Sequence, residues 1–183
     1  LNIEFFFSDI YKEMKKNLLF AFTFLFFLPA IYSKNINFQV VQNNPGFDTV
    51  FGVSNLFEQA LSDFFFESGH IVSNSPVFIK EDSKSDSAEL KRALADTLLG
   101  GMDVLVRLEI KYDEKTANSA GALLPNSVKS VSWQNYNPKT GKIISDGSIF
   151  PEKIDASNNN EAELYKFASS VAAKVSSTLK SLK

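Results

Sequence analysis

The sequence predicts an α/β (α+β) fold in which three helices pack on a single mixed β-sheet, in the order β-α-β-α-β-β-β-α. Three observations predict it. Strand-like and helix-like patterns alternate through residues 36–112, two strand patterns joined by a short turn follow at 128–150, and an amphipathic stripe runs through 161–182. Residues 34–183, about 150 residues, are enough for one domain with its own core.

The first strand is predicted at residues 36–41, where apolar and polar side chains alternate. A helix should follow, capped by Asp48 or Thr49, reaching about Ser68 and ended by Gly69. Its core-facing side is predicted from the helical period to consist of Val50, Val53, Phe57, Ala60, Leu61 and Phe64.

The second strand is predicted as two short pieces, 70–72 and 77–79, interrupted at Asn74-Ser75-Pro76. A charged loop at 81–86 then leads to a second helix. Asp86 and Glu89 have the spacing of a capping box at its start. The apolar stripe of this helix is Leu90, Ala93, Leu94, Thr97 and Leu98, and Gly100-Gly101 ends it.

The clearest strand is Val104–Tyr112, in which apolar residues alternate with Arg107, Glu109 and Lys111 on the other side. A polar loop at 113–126 precedes a hairpin of 128–136 and 142–150. The last helix is predicted to be capped by Asn160 with Glu163. Its stripe is Leu164, Ala168, Val171, Val175, Leu179 and Leu182.

The N-terminal part of the sequence has the pattern of a secretory signal. Lys15 and Lys16 follow Met14, an apolar run occupies residues 18–28, and Ser33 is a suitable residue for cleavage. We therefore expect a signal peptide at 14–33, with 1–13 an over-extended gene start, and a periplasmic or secreted protein. An uncleaved membrane anchor is the alternative, although the apolar stretch is shorter than about 20 residues.

Charge and cysteine content exclude several classes of protein. The net charge of the whole chain is −2, and it shows none of the basic excess typical of nucleic-acid binding. There is no cysteine. Disulfides, thiolate metal sites, a cysteine nucleophile and a lipidated N-terminal cysteine are therefore all excluded.

Three local motifs resemble those of a bacterial envelope fold family. They are Ser68-Gly69 at the end of the long helix, Gly100-Gly101-Met102-Asp103 before the third strand, and Lys139-Thr140-Gly141-Lys142 in the hairpin turn. The family includes the N-terminal domain of the Tol-system propeller protein, the curli secretion lipoprotein and the lipoprotein activators of penicillin-binding proteins. The resemblance implies a non-catalytic adaptor or binding domain in the periplasm. Unlike the family's lipoproteins, this chain has no lipobox cysteine, and it lacks a long barrel-forming insertion.

No catalytic, metal or cofactor site is predicted. There is no phosphate loop, nucleophile elbow, calcium loop or zinc-protease motif. His70, the single histidine, has no partner that the sequence names, and Asp86, Glu161 and Glu163 are assigned to helix N-termini. The alternative is a small-ligand-binding protein or hydrolase whose site combines His70 with the loop carboxylates Glu81, Asp82, Asp113 and Glu114.

Aromatic residues provide the one positive indication of binding. Phe66 falls opposite the apolar face of the first helix, and Phe51 lies well off it. Trp133 and Tyr136 alternate to opposite sides of their strand. Phe51, Phe66 and Trp133 are therefore predicted to contact a partner. The alternative is that a second layer of the fold covers them.

Overall fold

The computed structural model describes residues 33–43, 50–112 and 125–180. Short 3-10 turns lie at Pro125–Ser127 and Ala156–Asn158. The predicted order of strands and helices is confirmed. The elements are β1 (Asn35–Asn43), α1 (Gly52–Glu67), β2 (Ile71–Ile79), α2 (Ser83–Leu99), β3 (Val104–Tyr112), β4 (Val128–Tyr136), β5 (Ile143–Ile149) and α3 (Glu161–Lys180).

The five strands form one mixed sheet in the order β2-β1-β3-β4-β5. Strands β2, β1 and β3 are parallel, whereas β4 and β5 continue antiparallel as the hairpin. Because β2 and β3 lie on opposite sides of β1, right-handed crossovers place α1 and α2 on opposite faces of the sheet. Helices therefore cover both faces of the sheet.

The face covered by α1 and α3 carries the main core. Its strand side chains are the even-numbered residues of β1 and β3, such as Phe38, Val106 and Leu108, all essentially inaccessible to solvent. The two helices also pack on each other, with the rings of Phe57 and Phe167 edge to face at 5.8 Å. Burial of this apolar layer supplies the principal stabilisation of the domain.

Helix α1 differs from its prediction at both ends. Asp48 and Thr49 lie outside the described residues, and Phe51 immediately precedes the helix without a side-chain cap. At the other end the core residue is Phe65, fully buried, while the predicted Phe64 is half-buried. Successive residues lie about 100° apart around a helix, so the burial of Phe65 turns the buried side of this last turn away from the predicted stripe.

The start of α2 corrects a second prediction. Asp82, not Asp86, is the N-cap: its carboxylate accepts the backbone N–H of Ser85, whose hydroxyl in turn accepts the N–H of Asp82. The helix thus begins inside the predicted loop, and Asp86 and Glu89 lie within its first two turns. Neither carboxylate is needed for capping, which leaves both side chains available for other contacts.

Strand β2 is continuous, so the predicted interruption at 74–76 is wrong. Pro76 is tolerated because β2 is an edge strand and its outer side needs no ladder hydrogen bond. The register with β1 shifts between Gln39 and Val41, which accommodates the irregularity.

The remaining predicted elements agree with the structure within a residue or two. β3 has the predicted bounds, and the hairpin strands β4 and β5 lie where expected. Asn160 caps α3 by accepting the N–H of Glu163 at 3.1 Å. Leu182 and residues 14–32 of the signal peptide predicted at 14–33 lie outside the described residues. No helix in the described ranges is long and apolar enough to cross a membrane.

A close contact between two strands locks the hairpin. The indole ring of Trp133 on β4 lies directly over Gly147, its partner on β5. A Cβ atom added at Gly147 would lie 2.3 Å from Cζ2 of Trp133, well inside van der Waals contact. Glycine at this position is therefore a requirement of packing rather than of backbone conformation.

Replacing Gly147 with alanine should displace the Trp133 ring and destabilise the domain by about 1–3 kcal/mol, the usual cost of overpacking. Urea unfolding followed by tryptophan fluorescence measures this directly, because Trp133 is the only tryptophan. Gly100→Ala is the control, since its added methyl would meet the backbone oxygen of Asp96 at 3.2 Å, a tight contact that a shift of a few tenths of an ångström relieves. Equal stability of the two variants would contradict the contact.

Candidate functional site

The sheet face beneath α2 is polar, in contrast to the opposite face. Asn37, Gln39 and Arg107 all point to this side from β1 and β3, and all three are buried. The apolar contribution is small: Ala93, Leu105 and Tyr136 form a separate cluster with Leu90 and Leu94 at its margin. Helix α2 is therefore held on the sheet largely by polar contacts.

The guanidinium of Arg107 is the centre of this layer. Only 8% of the residue is exposed, and its Nη2 donates to Oδ1 of Asp86 at 2.6 Å. Nε donates to Oε1 of Gln39 at 3.2 Å, and Cζ lies 5.9 Å from the ring centroid of Phe78. These contacts join β3 to β1, β2 and α2 through one side chain.

Lys80 links a second carboxylate to the same cluster. Its Nζ lies 3.1 Å from Oδ2 of Asp86 and 2.9 Å from Oε2 of Glu109, while Asn43 donates to the other oxygen of Glu109 at 2.7 Å. Desolvation would raise the pKa of Asp86 and of Glu109. The hydrogen bonds and charges of Arg107, Lys80 and Asn43 outweigh it, so both pKa values lie below their ordinary range.

Two buried amides complete the polar layer. Asn37 donates to the hydroxyls of Ser75 and Thr97, at 3.1 and 2.8 Å, and accepts from Ser73. Gln39 donates to Glu89 on α2 at 2.6 Å. Each amide thus ties the central strand β1 to α2, satisfying its own polar atoms in the process.

Beyond the edge of α2, the same face of β3, β4 and β5 opens into a cleft of about 420 Å³. Two cross-strand rows form its floor: Arg107, Gln134 and Asp146 lie in register, and Glu109, Ser132 and Ser148 form the next row. Lys80 and Lys111 border it. We call this surface the polar cleft.

A different surface lies where the parallel strands begin. Phe66 and Leu99, near the ends of α1 and α2, are 74% and 86% exposed, and Ile71 at the start of β2 is 61% exposed. The turns after both helices converge on β1: Ile71 donates its N–H to the carbonyl of Lys34, and Asn35 donates to Asp103. We call Phe66, Ile71, Leu98 and Leu99 the apolar edge.

The structure separates the three aromatic residues predicted to contact a partner. Phe66 is exposed, as its position on the helical wheel predicted. Phe51 is buried with its ring edge-on to Tyr112 at 5.0 Å, and Trp133 is buried over Gly147. The prediction of an exposed surface at Phe51 and Trp133 is therefore corrected, because α1 begins later than expected and the hairpin folds the indole inward.

His70 is a structural residue at the N-terminal edge of the sheet. It is buried, its Nδ1 accepts the backbone N–H of Lys34 at 3.1 Å, and its ring packs edge-on to Phe65. Glu81 and Asp82 follow the opposite end of β2, about 30 Å away along a nine-residue strand. The structure therefore does not bring His70 together with these two carboxylates; Asp113 and Glu114 lie outside the described residues.

No group of three His, Cys, Asp or Glu side chains suited to a metal ion occurs within residues 33–43, 50–112 and 125–180. The cluster around Arg107 is not predicted from the sequence, because the spacing of Asp86 and Glu89 is that of a helix cap. The cluster could have been inferred from Asn37 and Gln39, which are polar residues in a strand with a neighbour on each side. Solvent cannot reach them there, so they need polar partners within the fold.

A family model described as "Uncharacterised protein" matches residues 35–180, from the start of β1 to the end of α3. The chain belongs to this family. No curated protein sequence matches the chain.

The chain is also similar to solved bacterial structures. The PelC dodecamer from Paraburkholderia phytofirmans is 16% identical, with 80% of this chain and 87% of that one covered and a TM-score of 0.41. Lipoprotein GNA1162 from Neisseria meningitidis is 15% identical, with 78% of this chain and 99% of that one covered and a TM-score of 0.43. TolB from Acinetobacter baumannii is 15% identical, with 80% of this chain and 29% of that one covered and a TM-score of 0.39. TolB is thus among the solved structures to which the chain is similar.

Removing the carboxylate of Asp86 should strongly destabilise the domain, because it leaves the buried guanidinium of Arg107 without the carboxylate that pairs with it. We expect Asp86→Leu to cost about 3–5 kcal/mol of unfolding free energy. In the double variant Arg107→Leu/Asp86→Leu, most of that loss should be recovered, since neither charge is then left unpaired. Urea denaturation of the two single variants and the double variant measures the coupling; additive losses would refute it.

The low pKa values of Asp86 and Glu109 predict a loss of stability in acid. A carboxyl whose pKa is lower in the folded state contributes stability above its unfolded pKa, about 4, and loses it as pH falls through the folded value. Unfolding free energy should therefore drop below about pH 4, and the drop should be smaller in Glu109→Gln. An unchanged pH profile in that variant would show that Glu109 is not stabilised by its partners.

Proposed function

We propose that the protein is an exported, non-enzymatic binding domain of the bacterial cell envelope that docks another envelope protein through the apolar edge. The observation that carries the proposal is the exposure of Phe66, Ile71 and Leu99, which lie where α1 ends, where β2 begins and where α2 ends. Export is supported by the signal pattern at residues 14–33.

Exposure at the apolar edge has no benefit for folding. A phenylalanine or leucine left in water contributes nothing to the core and lowers solubility, and isolated cases are ordinary. Here the exposed side chains come from α1, β2 and α2, whose ends are tied together through Lys34 and Asn35. A set of apolar side chains presented by joined elements is typical of a protein-binding surface.

Charge indicates the kind of partner surface. Glu67 adjoins Phe66, and Asp96 and Asp103 lie close to Leu99 in the chain, all three exposed. The C-terminal carbonyls of α1 and α2 point to the same edge and add negative potential. The partner should therefore present apolar side chains bordered by basic residues, which would complement this rim.

Phe66→Ala should leave the unfolding free energy within about 0.5 kcal/mol of the parent, since surface substitutions rarely change it more. It should nevertheless weaken capture of the partner from crosslinked envelope fractions. Phe65→Ala is the matched control: Phe65 is fully buried, and its truncation should cost about 3–5 kcal/mol. Thermal unfolding and affinity capture are measured on both variants.

The capture experiment has two decisive outcomes. Recovery of a defined envelope protein by the parent chain, lost with Phe66→Ala and with Leu99→Ala, supports docking through the apolar edge. Recovery that is unaffected by both substitutions would move the contact elsewhere and refute this surface. A large loss of stability in Phe66→Ala would likewise make Phe66 a core residue.

A further inference from the structure

We propose that the polar cleft binds a neutral, hydroxyl-rich ligand, a short stretch of glycan chain. This site is independent of the apolar edge, since it lies over the C-terminal halves of β1 and β3, while the apolar edge lies where those strands begin. Its volume of about 420 Å³ is in the range of small-molecule sites, roughly 300–1,000 Å³.

A hydrogen-bond donor held in a fixed position, the guanidinium of Arg107, lies on the floor of the cleft. Arg107 is more than nine-tenths buried and held rigidly by Asp86, Gln39 and the Phe78 ring. Those contacts use Nε and Nη2, and Nη1 makes no hydrogen bond to the described residues. A donor fixed in position loses little entropy when it binds a ligand, which favours recognition.

The charges of the cleft balance. Lys80, Arg107 and Lys111 are positive, Glu109 and Asp146 are negative, and Asp86 lies immediately behind Lys80 and Arg107. Three cations and three anions leave the cleft with no net charge. A nucleotide, a polyamine or a strongly acidic peptide is therefore disfavoured in comparison with an uncharged ligand.

The floor of the cleft offers both donors and acceptors. Along one row, Arg107 and the amide nitrogen of Gln134 are donors, because the Gln134 oxygen already accepts from Tyr136 at 2.6 Å; Asp146 at the end is an acceptor. In the next row Ser132 and Ser148 present hydroxyls. Sugar hydroxyls both donate and accept, so a row of them can satisfy this pattern without charge.

The extent of the surface favours a chain of sugar rings over a single small polar molecule. The lining residues come from β1, β3, β4 and β5, which at about 4.8 Å per strand spacing extend the floor by roughly 14 Å. Helix α2 contacts the sheet at Asn37, Gln39 and Arg107. Beyond it Gln134, Asp146 and Ser148 are exposed, so the cleft is open toward β5. An extended chain can lie across the strands and contact both rows.

The test is a titration of the purified chain with maltohexaose, cellohexaose and chitohexaose, followed by the backbone amide NMR signals of residues 132–134 and 146–148. At least one oligosaccharide should shift these signals. Gln134→Ala and Ser148→Ala should each weaken that binding about tenfold, as expected for a lost hydrogen bond. Both residues are exposed, so neither variant should unfold.

Gln59→Ala, at an exposed position on the outer side of α1, is the matched control and should bind like the parent. Inorganic phosphate and spermidine are the charged probes. Stronger shifts with either charged probe than with any oligosaccharide would overturn the proposal, as would no shift with all three sugars at millimolar concentration. Phe66→Ala should bind the sugar normally, which keeps this result separate from docking at the apolar edge.

Discussion

The burial of the Arg107 guanidinium under α2 is the constraint on which this side of the structure depends. A buried cation is expensive unless it is paired, and the charge of Asp86 together with the amide of Gln39 offsets that expense. Helix α2 fully buries only two of its side chains, Ala93 and Thr97. Its position is therefore determined more by where charges must meet than by the packing of an apolar stripe.

An ionic layer of this kind is a poor source of stability, since apolar residues of similar size often do better. The ionic layer instead fixes the position of α2 on the sheet. Asp86, Glu89 and Thr97 each reach a specific partner on the sheet, so a rotation of α2 would break several hydrogen bonds at once. The apolar layer under α1 and α3 can then provide most of the stability, which frees the α2 face to remain polar and partly open.

The sequence predicted the elements whose burial is simplest. In β3, α3 and the hairpin, one side meets the core and the other meets solvent or polar groups, so a period of 2.0 or 3.6 is enough. Prediction failed where tertiary contacts replaced the local signal. Asp86 has the spacing of a cap residue but pairs with Arg107 from β3, and Pro76 marks an edge rather than a break. The sequence pattern predicts which positions share a face. It does not predict which of those positions are exposed to solvent.

The same pairing also bears on whether the charged cluster supports catalysis or binding. General acid–base catalysis is most efficient when the pKa of the catalytic group is near the working pH. Arg92 and Gln39 keep the pKa of Glu89 below its usual range, and the pKa values of Asp86 and Glu109 are lowered as well. Desolvation would lower the pKa of Lys80, but its bonds to Glu109 and Asp86 outweigh this and raise it. The pKa of each group is thereby moved away from neutral pH, and the group is held in its charged form. Side chains fixed in charge and position are suited to recognising a ligand, and unsuited to exchanging protons with one.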